Sequence, residues 1–106
     1  MITIDQFRAV ELRVATVRAA EPHPNADRLL VLRVDVGGEE RQIVAGIRAH
    51  YAPESLVGRQ VVVVANLEPA QLRGVESQGM LLAAADGERV VLVRPDDAVT
   101  SGAVVR

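Results

Sequence analysis

The stretch VVVVANLEPAQLRGVESQGM, Val61 to Met80, decides the fold. Four consecutive valines demand burial, and a β-branched run of that density fits a strand covered on both faces better than a short helix. The sequence then turns polar, with Asn66, Glu68, Pro69, Gln71, Arg73, Gly74, Glu76, Ser77, Gln78 and Gly79 following. So many hydrogen-bonding groups mixed with Pro and Gly predict a long ordered loop rather than a spacer. Loops held on rigid strands are where binding residues concentrate.

Upstream, LLVLRVDV at 29–36 alternates strictly. Leu30, Leu32, Val34 and Val36 are expected inward, and Arg33 outward. Gly37-Gly38 reads as a hairpin turn, and ERQIVA at 40–45 returns as the partner strand, with Arg41 or Gln42 outward and Arg48 beyond its end. Ala52-Pro53-Glu54 opens a short helix that Gly58 closes. Residues 10–20 alternate with a break in parity: Val10, Leu12 and Val14 share one face, Val17 and Ala19 the other. A bulge near Ala15 and Thr16 reconciles the halves and predicts a long bent strand pairing on both edges. Residues 3–9 predict one or two helical turns capped by Thr3 or Asp5, with Ile4 and Phe7 burying one side. EPHPNAD at 21–27 is a turn by composition.

Downstream, GMLLAAA at 79–85 predicts a fifth strand closed at Asp86-Gly87, and RVVLV at 89–93 a sixth, followed by a tail ending on Val104 and Val105. The sum is an all-β chain. Five strands with a short helix between the third and fourth give the order of a Greek-key barrel of the oligonucleotide-binding (OB) type, with a C-terminal strand extension. The chain, 1–106, is expected to be one domain, with the barrel over about 9–86 and the extension over about 87–106.

Composition narrows the function. There is no Cys, and two histidines, His23 and His50, do not make a zinc set. His23, between two prolines, reads as a turn residue. Ser77 lies in VESQG, which lacks the first glycine of a nucleophile elbow, and no glycine-rich loop feeds a helix. A binding protein rather than an enzyme is expected, with no cofactor and no metal. No apolar run approaches a membrane span and the N-terminus lacks a signal layout, so a cytoplasmic protein is expected.

All 12 basic residues are Arg, and the net charge is −2. A nucleic acid must therefore meet a local patch of planar guanidinium groups on an otherwise acidic surface. Phe7 and Tyr51 are the whole aromatic inventory, so a row of stacking aromatics is absent. RNA contacts would rest on the sugar–phosphate backbone, guanidinium planes and Met or apolar contacts.

The segments ELRVATVRAAEPHPNADRLLVLRVDVGGEERQIVAGI and VVVVANLEPAQLRGVESQGMLLAA resemble the tRNA-binding domain family. That family includes the C-terminal appendix of bacterial methionyl-tRNA synthetases and free-standing structure-specific tRNA-binding proteins. The HPNAD turn and the NL-x-P-x-x-LRG-x-x-S-x-GM loop carry the likeness, which extends over essentially the whole chain. The resemblance implies an OB fold, homodimerisation through the terminal segments, and sequence-independent tRNA binding, with a synthetase catalytic region as a further partner. It carries the family loop onto Asn66, Leu67, Pro69, Leu72, Arg73, Gly74, Ser77, Gly79 and Met80. Arg73 is then suited to clamp a phosphate, and Asn66, Ser77 and Gln78 to bond backbone or 2′-hydroxyl groups. Met80 would pack on a base or fill the core. With Arg33, Arg41 and Arg48 these form the expected RNA-binding set. Family loops commonly carry Lys where this chain has Glu68, another basic residue where it has Gln71, and Ser where it has Ala45, which predicts weakened RNA affinity. A chaperone-like protein-binding branch of the same family is the alternative function.

Overall fold

The computed structural model describes residues 1–106. The N-terminal helix α1 (Ile4–Arg8) carries a capping box: Thr3 accepts the Gln6 N–H, and the Gln6 side chain accepts the Thr3 N–H. Strands follow as β1 (Leu12–Pro22), β2 (Leu30–Asp35) and β3 (Glu40–Ala45). The short helix α2 (Pro53–Leu56) and β4 (Gln60–Val64) come next.

The long first strand pairs on both edges, as its length predicts. One edge runs antiparallel to β4, from Leu12↔Val64 to Thr16↔Gln60. The other pairs with β2 from Thr16↔Asp35 to Pro22↔Leu30. The register shift falls between Val17 and Ala19, two residues beyond the expected bulge at Ala15 and Thr16. Ala15 and Val17 share the interior, so inward alternation persists through the proposed break, and the bend comes where β1 has already left β4.

The valine run is covered on both faces: Val61 and Val63 join the core, and Val62 and Val64 are buried on the outside. Leu30, Leu32 and Val34 point inward from β2 as expected and are fully buried. Ile4 and Phe7 do not bury one side of the helix. They are 61% and 37% exposed, because α1 lies at the edge of the chain with nothing packed over that face.

The predicted loop is itself structured. It holds a hairpin of β5 (Ala70–Leu72) and β6 (Val75–Ser77), then β7 (Met80–Leu81) pairs with β4. The expected fifth strand at 79–85 breaks at Leu82. Its N–H bonds the Val62 carbonyl and its carbonyl accepts from Val93, and the chain then leaves the barrel as β8 (Ala83–Asp86), paired with β9 (Arg89–Leu92). The sheet order is β3-β2-β1-β4-β7.

The gap between β3 and the segment before β7 is closed largely by side chains. Gln42 N–H donates to Gln78 Oε1 at 2.9 Å, and Val44 N–H to Ser77 Oγ at 3.0 Å. One backbone bond, Gln78 N–H to the Gln42 carbonyl, completes the seam. This is an OB barrel, all-β apart from the two short helices.

The tail is stapled along the same barrel. β10 (Val104–Val105) pairs with β1 at Leu12 and Arg13, on the edge that β2 leaves free. Gln60 exchanges two hydrogen bonds with the backbone of Val99, and Thr16 Oγ1 meets Ser101 Oγ.

Candidate nucleic-acid interface

The polar hairpin turns on Arg73-Gly74, with φ of 53° and 86°. Two positive φ values across a two-residue loop are the geometry that suits the twist of paired strands, and it favours Asn-Gly or Gly-Gly. Arg73 is the one non-glycine residue with positive φ, and the αL conformation costs a side-chain-bearing residue about 1–2 kcal/mol. A tip that accepts this cost in order to present an arginine to solvent points to a role for the guanidinium. Arg73 makes no ion pair or hydrogen bond within the chain.

His23 explains how the tip is held. It is buried; Nδ1 accepts the Asn25 N–H at 2.9 Å, so Nε2 carries the proton and donates to the Leu72 carbonyl at 2.9 Å. One imidazole thus ties the 21–27 turn to the residue before Arg73. The same turn is tied to the end of β3: Arg48 N–H donates to the Arg28 carbonyl, and Arg48 Nη1 to the Ala26 carbonyl at 3.4 Å. Arg28, Arg48 and Arg73 therefore stand on three segments joined by hydrogen bonds, and none has an acidic partner. Arg28 lies in the loop between the first two strands and Arg73 in the loop before the last, the two loops where ligands engage in an OB barrel, and Arg48 follows β3.

The other expected contacts disperse. Arg33 lies on the outer face of β2–β3, opposite Gln42, and reaches Glu40 at 3.4 Å. Arg41 pairs in register with Val34, so it occupies the opposite face, where it bonds the Ala65 carbonyl and Glu39. Of the two alternatives for β3, Gln42 is the outward residue. Asn66 is committed to the N-terminal segment: Oδ1 accepts from Glu11 N–H at 2.9 Å and Nδ2 donates to the Ala9 carbonyl at 2.7 Å. Ser77 is buried, accepts from Val44 and donates to the Gly79 carbonyl. Gln78 uses its carbonyl oxygen on Gln42. Met80, half exposed, stands beside Leu72 on the rim of an apolar groove.

Arg28 was missed, although it directly follows the 21–27 turn. Composition identifies that turn but not which loop it folds against. Glu68 and Glu76 are exposed on the same loop and hairpin and keep the surroundings of Arg73 from being uniformly basic.

Ser77→Ala should act on the seam. It leaves the buried Val44 N–H without a partner, at about 1–3 kcal/mol in denaturant unfolding. Binding of tRNA by the folded fraction should stay within about twofold. A loss larger than unfolding explains would place the hydroxyl on RNA instead.

The family described as "Putative tRNA binding domain" matches residues 12–104. The methionine–tRNA ligase of Thermococcus kodakarensis is 56% identical over 105 residues, covering 99% of this chain and 14% of the ligase. That of Thermotoga maritima is 58% identical over 104 residues, covering 98% and 16%. The chain thus spans about one-seventh of the curated relatives it matches. Among solved structures, a MetRS-related protein from Pyrococcus horikoshii superposes with a TM-score of 0.93 at 38% identity, covering 100% of this chain and 98% of that one. The chaperone CsaA from Bacillus anthracis gives 0.91 at 30%, covering 100% and 99%. No helix is long and apolar enough to cross a membrane. The matched region is a tRNA-binding domain, so the chain is a binding module rather than an enzyme, and it belongs to the tRNA-binding domain family.

Proposed function

We propose that this chain binds folded tRNA through its sugar–phosphate backbone, without reading sequence, and does so as a homodimer. It would serve either as the tRNA-binding portion of a methionine–tRNA ligase or as a free-standing protein. The observation that carries the reading is the gathering of Arg28, Arg48 and Arg73, all without acidic partners, around the turn and hairpin that His23 joins. Three guanidinium groups without acidic partners favour phosphate as the group they bind. Filter binding across a salt series tests this. Affinity for folded tRNA should fall steeply with salt and show little dependence on which tRNA is used. Equal affinity for a simple RNA duplex would refute recognition of the folded shape.

The dimer rests on unsatisfied apolar surface at the chain ends. Ile2, Ile4, Phe7, Val10 and Val104 are 69%, 61%, 37%, 43% and 55% exposed. A groove of about 290 Å³ runs between α1 and β10, lined by Phe7, Val10, Leu12 and Val104 among others. Asn66 fixes the N-terminal segment to the barrel, so this apolar surface is presented in a set orientation. A second copy covering it would double the phosphate-binding surface, and two weak sites acting together bind one large RNA far better than either alone. Ile4→Glu with Phe7→Glu should convert the dimer to a monomer in sedimentation equilibrium and leave the barrel folded. A dimer that persists would locate the interface elsewhere.

A further inference from the structure

Beside the arginine cluster lies an apolar groove of about 490 Å³, bounded by Val44 to Ile47, the hairpin residue Leu72, Met80 to Ala83, and Val90. Leu72 and Met80 form its rim and are 38% and 49% exposed. Apart from Gly46, every lining residue is hydrophobic, so no side chain there can hydrogen-bond a ligand. Ile47 is followed by Arg48, and Leu72 by Arg73. The groove is apolar inside, and an arginine directly follows two of its lining residues in the chain.

We propose that this groove takes one unpaired nucleobase of the bound RNA, with the phosphates flanking that nucleotide on Arg48 and Arg73. The proposal rests on the tRNA-binding reading and extends it from phosphates to a base. The occupant follows from three observations. First, the two aromatic residues are elsewhere: Phe7 belongs to the terminal face, and the Tyr51 ring lies under Arg59 at 5.7 Å while its hydroxyl accepts the Leu92 N–H. An unstacked base must therefore be met by aliphatic and thioether groups, and a polarizable Met is suited to a flat π-face.

Second, an extended peptide would need a sheet edge to pair with. Leu82, which lines the groove, has both backbone groups already used, the N–H by Val62 and the carbonyl by Val93. A base carries its polar atoms in its plane and can leave them at the mouth, facing water and the guanidinium groups. Third, the charge matches: the groove's neighbours Arg48 and Arg73 have no acidic partners, and nothing acidic lines it. A slot without hydrogen-bonding side chains holds a base by its faces, so it accepts any of the four bases and is consistent with sequence-independent binding.

The test uses the full chain and an RNA hairpin with 2-aminopurine at one loop position, compared with the same hairpin carrying an abasic site there. Folded tRNA is the positive control. Binding should change the 2-aminopurine fluorescence, and the abasic hairpin should bind about tenfold more weakly. Ala83→Phe, which fills the groove from an exposed strand position, and Met80→Ala, which removes its rim, should each erase that difference. The second variant keeps the test informative should Ala83→Phe fail to fold. If tRNA binds but the two hairpins bind equally, the groove proposal is overturned while the phosphate reading stands. If neither hairpin nor tRNA binds, both fall. If a Leu- and Phe-rich peptide binds, loses affinity on Ala83→Phe, and the two hairpins are equal, the groove is a peptide site and the proposal is overturned.

Discussion

Replacing Arg28, Arg48 and Arg73 together with alanine should lower tRNA affinity roughly fiftyfold at 0.15 M salt and flatten the plot of log affinity against log salt by about 2 to 3. Each phosphate neutralised releases about 0.7–0.9 of a counterion, so each contact is worth roughly fourfold at that ionic strength and three multiply. Arg28 and Arg73 are exposed and Arg48 is half-buried, and only Arg48 makes a side-chain hydrogen bond within the chain, a long one to Ala26, so the fold should tolerate their loss. The matched control is Arg18→Ala with Arg33→Ala. Both are exposed arginines, but Arg18 is paired with Asp35 at 3.1 Å and Arg33 with Glu40, and both should leave affinity within about twofold. Filter binding or fluorescence anisotropy at several salt concentrations reads both quantities. Should the control pair cost as much as the triple, binding would be spread over the barrel surface and the cluster would hold no special place.

The largest effect on the fold is expected at Gly79. Its φ is +147°, and a Cβ there would sit 2.9 Å from the Val64 carbonyl oxygen, a backbone atom held in the β4–β7 pairing. Neither the φ nor the neighbour can give without breaking the strand that follows. Gly79→Ala should cost about 3 kcal/mol and lower the melting temperature by about 15 °C. Gly46→Ala is the control. Its Cβ would meet only a Leu29 methyl at 3.8 Å and its φ is ordinary, so its stability should stay within about 0.5 kcal/mol. Because Gly79 follows the seam residues Ser77 and Gln78, loss of tRNA binding in Gly79→Ala should track loss of structure and return on cooling. A stable Gly79→Ala protein would mean that β4 and β7 can separate without cost.

The barrel was legible because its strands announce themselves through burial. The valine run could only be satisfied with cover on both faces, and the alternation in LLVLRVDV fixed which side faced inward. The hairpin within the polar loop was less visible. AQL and VES are short, mostly exposed and no more β-like than their neighbours, and what pairs them is the two-residue turn at Arg73-Gly74. Ile4 and Phe7 carry the right spacing for a buried face, but spacing does not say whether this copy or another supplies the cover. Arg41 and Gln42 were indistinguishable because a strand alternates regardless of which parity faces water, and only pairing with β2 decided it.

The amino-acid order by itself determined the all-β barrel, its helix insertion and the family, since periodicity, turn chemistry and motif spacing are local and survive without knowledge of neighbours. The tertiary structure alone decided which polar groups remain free. Asn66, Ser77 and Gln78 look like ligand contacts in one dimension, yet folding brings each against a backbone N–H or carbonyl from a distant segment, and Ser77, the buried one of the three, is stable only when so partnered. The same folding, through one buried imidazole, brought Arg28 and Arg48 to the side of Arg73.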